Sequence, residues 1–460
     1  MGVLRNLVLS GGVLIVFLAV SIGVLWSFIS QPAPIPELEP TWWGPGAARK
    51  DDTTIKPFKI NVSNEVLDDL HDRLELLPTL KPPLEGANFR YGFNTNYLKS
   101  VVEFWSQKYN WRDREAFLNK LPQFKTQVSG LNLHFIHAKP KEVPKGTKVL
   151  PLLLLHGWPG SIREFYGLIP LLTTPRKDAN FVFEVIAPSL PGYGFSDGAA
   201  KQGLGAAQIA VVFKSLMERL GFQQFYLQGG DWGAIITANM ATLYPKSILG
   251  LHSNMCFINT PLSNVKRLIG SLWPTLLVEE AHVDKMYPLS KTFSYLIEES
   301  GYMHLQASKP DTIGVALSDS PAGLAAYILE KFSTWTDPSW RSLPDGGLTK
   351  KFALVDLLDN IMIYWVSESI TTSMRLYSET FNKAQLSLNM DSVPTPVPTA
   401  CAVFPNELSY TPKCLLEEKF KNIVKFTHME RGGHFAAFEE PELLADDVFD
   451  AVKIMRSKLK

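Results

Sequence analysis

An aspartate set between glycines where an apolar strand stops is the feature of this sequence best suited to chemistry. The stretch is Phe225-Tyr226-Leu227-Gln228-Gly229-Gly230-Asp231-Trp232-Gly233-Ala234, and a helix spanning Ala234–Leu243 is expected to begin at once. A strand–turn–helix bend of this kind needs glycines because backbone passes close on both sides, and it holds the central side chain in a strained, exposed turn. Serine at such a bend attacks acyl carbon. A carboxylate instead displaces a leaving group from saturated carbon and stays behind as an alkyl ester, so epoxides and alkyl halides are the electrophiles it suits. The following helix start favours the ionised carboxylate and offers the Trp232 N–H to a later oxyanion. The plainer reading, that Asp231 only caps the helix, leaves its companions unexplained.

Those companions lie far off in the chain. His156-Gly157-Trp158-Pro159-Gly160 follows directly on the apolar run Val149–Leu155, where a tight glycine-proline turn can aim a second oxyanion donor, the Trp158 N–H. Arg431-Gly432-Gly433-His434-Phe435 stands after the last expected strand and before a terminal helix over Pro441–Leu459. His434 is the candidate base, and its rival His428 lies nearer the strand and reads as structural. An acid to orient the base belongs at the preceding strand's exit, where Phe404-Pro405-Asn406-Glu407 makes Glu407 the choice over an acid elsewhere. Nucleophile, acid, histidine is the chain order of the α/β-hydrolase fold. His71, His134, His137, His252, His282 and His304 are scattered without metal-ligand spacing, and no metal or organic cofactor is expected.

The elements that must position these groups alternate. Strands are expected at Phe124–Val128, Leu131–His137, Val149–Leu155, Phe183–Ala187, Gln224–Leu227 and Ile248–His252, with helical stretches such as Ala206–Leu220 between them. Wholly apolar strands suit a mostly parallel sheet covered on both faces. The alternation lapses from about Phe257 to Met390 and resumes with Ala400–Val403 and Ile423–Phe426, as an inserted helical cap would produce. The expected division is an anchor over 1–30, a linker and wrapping segment over 31–123, core over 124–256, cap over 257–394 and core again over 395–460.

The 45 basic and 45 acidic side chains cancel to a formal charge of +0, which argues against a nucleic-acid partner and for a neutral or apolar substrate. Cys256, Cys401 and Cys414 read as ordinary buried thiols. Leu7 to Ile29 runs about 23 residues without a charge, long enough at 1.5 Å per residue to cross ~30 Å of hydrocarbon. A cleaved signal peptide is the alternative, but bulky Trp26 and Phe28 stand where small residues would mark cleavage. Flanking charge leaves the orientation open, and the sequon Asn61-Val62-Ser63 offers a test of it. Trp42-Trp43, after a proline-rich spacer, suit the membrane interface or docking on the domain below.

With these motifs assembled, the sequence resembles the microsomal epoxide hydrolases, and in particular the juvenile hormone epoxide hydrolases of insects. The likeness spans nearly the whole chain, including Trp42-Trp43-Gly44, His156–Gly160, Gly229–Gly233, Glu299–His304, Lys309–Gly314 and Gly432–Phe435. It implies an α/β-hydrolase fold with a mostly parallel sheet, an inserted helical cap and an N-terminal transmembrane anchor. It also implies Asp231 as nucleophile, His434 as base, Glu407 as its partner, and Tyr302 and Tyr377 as two cap tyrosines that protonate the epoxide oxygen. The implied setting is a single pass through the endoplasmic reticulum (microsomal) membrane with a cytosolic catalytic domain. The implied substrate is a lipophilic epoxide, juvenile hormone or a xenobiotic. A haloalkane dehalogenase-like enzyme and an inactive binder of lipophilic ligands are the competing readings.

Overall fold

The computed structural model describes residues 30–458 and, ahead of them, residues 20, 21, 23, 24, 26 and 27. The expected anchor over Leu7–Ile29 therefore falls largely outside the described residues. Within them no single helix is long and apolar enough to cross a membrane.

Nine strands form one sheet: β1 (Lys56–Phe58), β2 (Gln123–Val128), β3 (Leu131–Ala138), β4 (Lys148–Leu155), β5 (Phe181–Pro188), β6 (Phe225–Gly229), β7 (Ile248–Ser253), β8 (Thr399–Val403) and β9 (Ile423–His428). Their order across the sheet is β1-β2-β3-β5-β4-β6-β7-β8-β9. The pairings β1–β2, β2–β3 and β3–β5 are antiparallel, and every pairing from β5–β4 to β8–β9 is parallel. Composition explains the placement. Leu152, Leu153, Leu154 and Leu155 of β4 are all buried, as a central strand roofed by helices on both faces requires. At the antiparallel end the β2–β3 hairpin turns through Ser129 (φ 54°) and Gly130 (φ 84°). The carboxylate of Asp51 accepts both of their N–H groups at 2.8 Å.

The N-terminal segment wraps the core with helices Asn64–Glu75, Thr95–Gln107 and Trp111–Leu118. Of the two readings for Trp42-Trp43, docking is the one observed for Trp43. Its ring is buried, its N–H donates to the Ser129 carbonyl at 2.8 Å, and its carbonyl accepts from Ala200 N–H at 2.9 Å.

The cap enters after β7 and leaves before β8. It is built of helices that include Pro261–Gly270, Gly301–Ser308, Pro310–Asp319, Pro321–Thr334, Leu354–Val366 and Ile370–Thr380. At its base the thiol expectation fails, because Cys256 and Cys401 are joined in a disulfide across 145 residues and Cys414 is an exposed free cysteine. The reason is register: β7 and β8 lie side by side with Ser253 opposite Cys401, so the chain leaving β7 passes the end of β8. Spacing along the sequence carries no trace of that adjacency. Thiol titration of the native protein should accordingly find one reactive cysteine, and three after unfolding and reduction. Cys256→Ser should cost up to about 5 kcal/mol through the entropy of the reopened loop, read as a lowered thermal midpoint.

Candidate active site

The bend after β6 is held open by missing side chains. A Cβ at Gly229 would overlap the Gly233 carbonyl, one at Gly233 the Leu155 carbonyl, and one at Gly157 the Asp231 carboxylate itself. Strand end, helix start and the loop after β4 thus interleave backbone to backbone. Between them Asp231 has φ +49°, a left-handed conformation that costs a non-glycine residue about 1 kcal/mol or more. Helix Asp231–Leu243 begins there, so its first amides, Trp232 among them, have no carbonyl one turn back to bond and face the carboxylate's side.

Two partners meet that carboxylate. The Trp158 N–H donates to Asp231 Oδ1 at 2.8 Å, and His434 Nε2 lies 3.3 Å from Asp231 Oδ2. On the far side of the imidazole, His434 Nδ1 lies 2.6 Å from Glu407 Oε1, which also accepts the Leu408 N–H at 2.7 Å. The His434 backbone N–H donates to the Trp335 carbonyl at 3.0 Å. Burial alone would suppress the imidazolium, but Glu407 and Asp231 outweigh it and hold His434 well above its ordinary 6.5. At neutral pH the ring is a cation between two carboxylates.

The loop after β4 is fixed from both sides. His156 is buried, its Nδ1–H donates to the Gly157 carbonyl at 3.0 Å, and its Nε2 accepts the Leu190 N–H at 3.2 Å. Burial, foremost, pushes its pKa down to about 4, so it stays neutral. From above, the cap helix Leu354–Val366 grips the same loop. Asn360 Nδ2 donates to the Pro159 carbonyl at 2.8 Å, Ser161 Oγ donates to Asn360 Oδ1 at 2.7 Å, and Tyr364 OH donates to the Gly160 carbonyl at 2.7 Å. Immediately before Asn360, Asp359 takes Arg163 of the loop at 2.8 Å and Arg114 of the wrapping segment at 2.6 Å. Wrapping segment, loop and cap are therefore locked at one buried charge cluster.

Two tyrosines of the cap close the site. Tyr302, on helix Gly301–Ser308, stacks on the Trp158 indole with centroids 5.3 Å apart and planes 7° apart. Tyr377, on helix Ile370–Thr380, meets the Trp232 indole edge-on at 4.7 Å. The two phenol rings are 6.0 Å apart. Burial first, and the nearby Asp231 charge with it, raise both phenols well above 10, so both keep their protons.

All seven residues singled out in the sequence, Asp231, His434, Glu407, Tyr302, Tyr377, Trp158 and Trp232, thus gather in one place. Sequence reasoning passed over Asp359, Asn360 and Tyr364, whose task is visible only across the cap–loop seam. It also passed over two acids beside the site, the buried Glu439 and the half-buried Glu164. Glu439 accepts the Gly433 and Phe435 N–H groups at 2.7 and 2.9 Å, bracketing His434. Glu164 lines the same cavity as Asp231 and His434. A charged pair, Arg163-Glu164, among Ile162, Phe165 and Tyr166 was the available signal. The histidines are not all scattered either: His282 and His428, with Glu279, bring donor atoms within 4.8 Å of one another, in a cluster that contains none of the seven.

Comparison with known proteins finds relatives along nearly the whole chain. The family model described as epoxide hydrolase N terminus matches residues 55–165, and the one described as alpha/beta hydrolase fold matches residues 151–343. The chain is 57% identical over 443 residues to juvenile hormone epoxide hydrolase 1 of Ctenocephalides felis, covering 96% of this chain and 95% of that one. It is 48% identical to epoxide hydrolase 1 of Sus scrofa, covering 88% and 91% respectively. The crystal structure of juvenile hormone epoxide hydrolase from the silkworm Bombyx mori superposes with a TM-score of 0.91 at 50% identity, covering 92% of this chain and all of that one.

The His434 pairing carries a signed pH dependence. Because its folded pKa is raised, the stability it contributes is complete below about 6.5, the unfolded value, and is lost as pH rises through the folded value. Thermal midpoints of the wild type and Glu407→Gln should differ most near pH 6 and converge in alkaline buffer. A gap that stays constant with pH would mean His434 carries no proton in the resting protein.

Proposed function

Because the chain belongs to the epoxide hydrolase family, we propose that it converts lipophilic epoxides to diols through an ester on Asp231, with a terpenoid epoxide such as juvenile hormone as substrate. The observation that carries this reading is the placement of one carboxylate against both the Trp158 N–H and the His434 ring, under two protonated phenols. The walls are aromatic, from Trp158, Trp232, Trp335, Tyr302 and Tyr377, which suits an apolar substrate. The juvenile hormone names of the Ctenocephalides and Bombyx relatives narrow the class to terpenoids.

In the first step Asp231 attacks an epoxide carbon, the C–O bond of the ring breaks, and Tyr302 and Tyr377 hydrogen-bond and protonate the departing oxygen. This step removes the negative charge of Asp231. The phenols, raised first by burial, lose the added repulsion of Asp231, and His434 loses one of the two carboxylates that had kept it protonated. Its proton is released towards the phenolate, and the neutral imidazole, still aligned by Glu407, is free to serve as a base. In the second step water attacks the ester carbonyl, gives its proton to His434, and the Trp158 and Trp232 amides hold the oxyanion until the diol departs. A halide leaving group needs no proton, so a dehalogenase reading leaves the paired phenols without a task, and a non-catalytic binder leaves the whole constellation without one.

In rapid-quench experiments His434→Gln should form the ester at close to the wild-type rate and then stall, visible as a stoichiometric gain in intact mass. Tyr302→Phe and Tyr377→Phe should each slow ester formation by about 10- to 100-fold. Diol produced by His434→Gln at the wild-type rate, without a mass gain, would defeat the scheme.

We further place the protein on the endoplasmic reticulum membrane through the apolar stretch Leu7–Ile29. The Cys256–Cys401 disulfide weighs against the cytosolic side that the resemblance suggests, because such bonds persist in oxidising compartments. Exposed Asn61, in its sequon, reports the choice. A lumenal domain would carry a glycan there, removable by endoglycosidase. An unmodified Asn61 with Cys256 and Cys401 open to alkylation in intact microsomes would return the domain to the cytosol.

A further inference from the structure

We propose that Glu164 is a positioning residue for the hydrolytic water, an inference that rests on the ester route above and assigns this side chain a part in its second step. Three observations meet here. The first is a cavity of about 20 Å³ lined by Glu164, Asp231, His434, His156 and Gln228. That is room for one water, which persists in such a place only with two or more polar partners. The second is that the Glu164 carboxyl lies where a side chain on residue 160 would be: a Cβ at Gly160 would overlap Glu164 Oε1. The short helix Ile162–Tyr166 turns Glu164 back beneath the Trp158–Gly160 loop, and the glycine gives way to it. The third is chemical. A carboxyl turned inward is a costly filler where an apolar side chain of equal size would pack, and loss of solvent around it lifts this one to about 8, with the His434 cation opposing the rise and the Asp231 charge adding to it. It therefore senses both partners of the reaction.

Most hydrogen-bonding atoms on the other polar walls of the cavity are already engaged. Both ring nitrogens of His156 are bonded within the protein, Gln228 Nε2 donates to Asn254 Oδ1 at 2.8 Å, and Asp231 is the group under attack. A water between His434 and Glu164 donates one O–H to His434 Nε2 and the other to the Glu164 carboxyl, which leaves a lone pair directed at the ester carbonyl carbon. As the new C–O bond forms, the first proton passes to His434 and the second hydrogen stays on the attacking oxygen. Collapse then breaks the bond to the glycol oxygen, which takes the remaining proton from the new Asp231 carboxyl, so that a neutral diol leaves and the Asp231 carboxylate stands again beside the His434 cation. Glu164 gains and loses no proton. It acts through the water's orientation.

Such a role separates the two steps, which a merely structural one does not. With styrene oxide as probe, Glu164→Ala should form the ester within about twofold of the wild-type rate but turn over about 100-fold more slowly, so that esterified protein dominates the steady state by intact mass. Glu164→Gln, which keeps the hydrogen-bonding oxygen, should recover most of the loss. Gly160→Ala, which keeps Glu164 but displaces its carboxyl, should repeat the alanine phenotype. Thermal midpoints near wild type for Glu164→Gln would show that the fold tolerates the site. Wild-type turnover in Glu164→Ala, or ester formation slowed as much as hydrolysis, would overturn the proposal. Absence of ester even in His434→Gln would remove the route itself, and with it this role, whereas a stalled ester in His434→Gln alone would refute Glu164 and spare the route.

Discussion

A carboxylate that must stay ionised inside an apolar, aromatic pocket is the constraint from which the rest of this site follows. An isolated charge there would be neutralised by a proton from solvent. At Asp231 an amide donor and an imidazolium meet the two carboxylate oxygens separately. Each of those partners needs support of its own. His434 is held by Glu407 and by the loop that Glu439 brackets. Trp158 is held by His156 below and by Asn360 and Tyr364 above. The glycines at 157, 229 and 233 exist so that these supports can approach at backbone distance.

Charge also orders events in time. Resting Asp231 adds to burial in keeping the phenols loaded with protons, and adds to Glu407 in keeping His434 unable to accept one. Bond formation to carbon cancels that charge and shifts both towards giving up a proton. The acid is thus strongest as the alkoxide develops, and the base is liberated only once there is an ester to hydrolyse. No movement of the backbone is needed for this sequence.

Most of the sheet and most of the site could be read from the chain because each rests on local signals. The run Leu152–Leu155 cannot be other than a doubly covered strand, and a glycine-flanked aspartate before a helix has few other uses. Glu407 was reachable because the strand that precedes it ends close by. The two cap tyrosines were reachable only through resemblance, since a phenol on a cap helix looks the same whether it packs or reacts. What escaped was set by tertiary neighbours: the Cys256–Cys401 bond depends on strand adjacency, the Asp359–Asn360–Tyr364 grip on a seam between segments 200 residues apart, and Glu164 on a carboxyl folding back under a glycine four positions earlier.

The disulfide at the root of the cap turns that insertion into a closed covalent ring, with both crossings between core and cap fastened at one point. A protease that nicks an exposed turn of the cap would leave two fragments still attached to each other and still seated on the sheet. The lid over the two tyrosines is thereby insured against a single cut for as long as its surroundings remain oxidising.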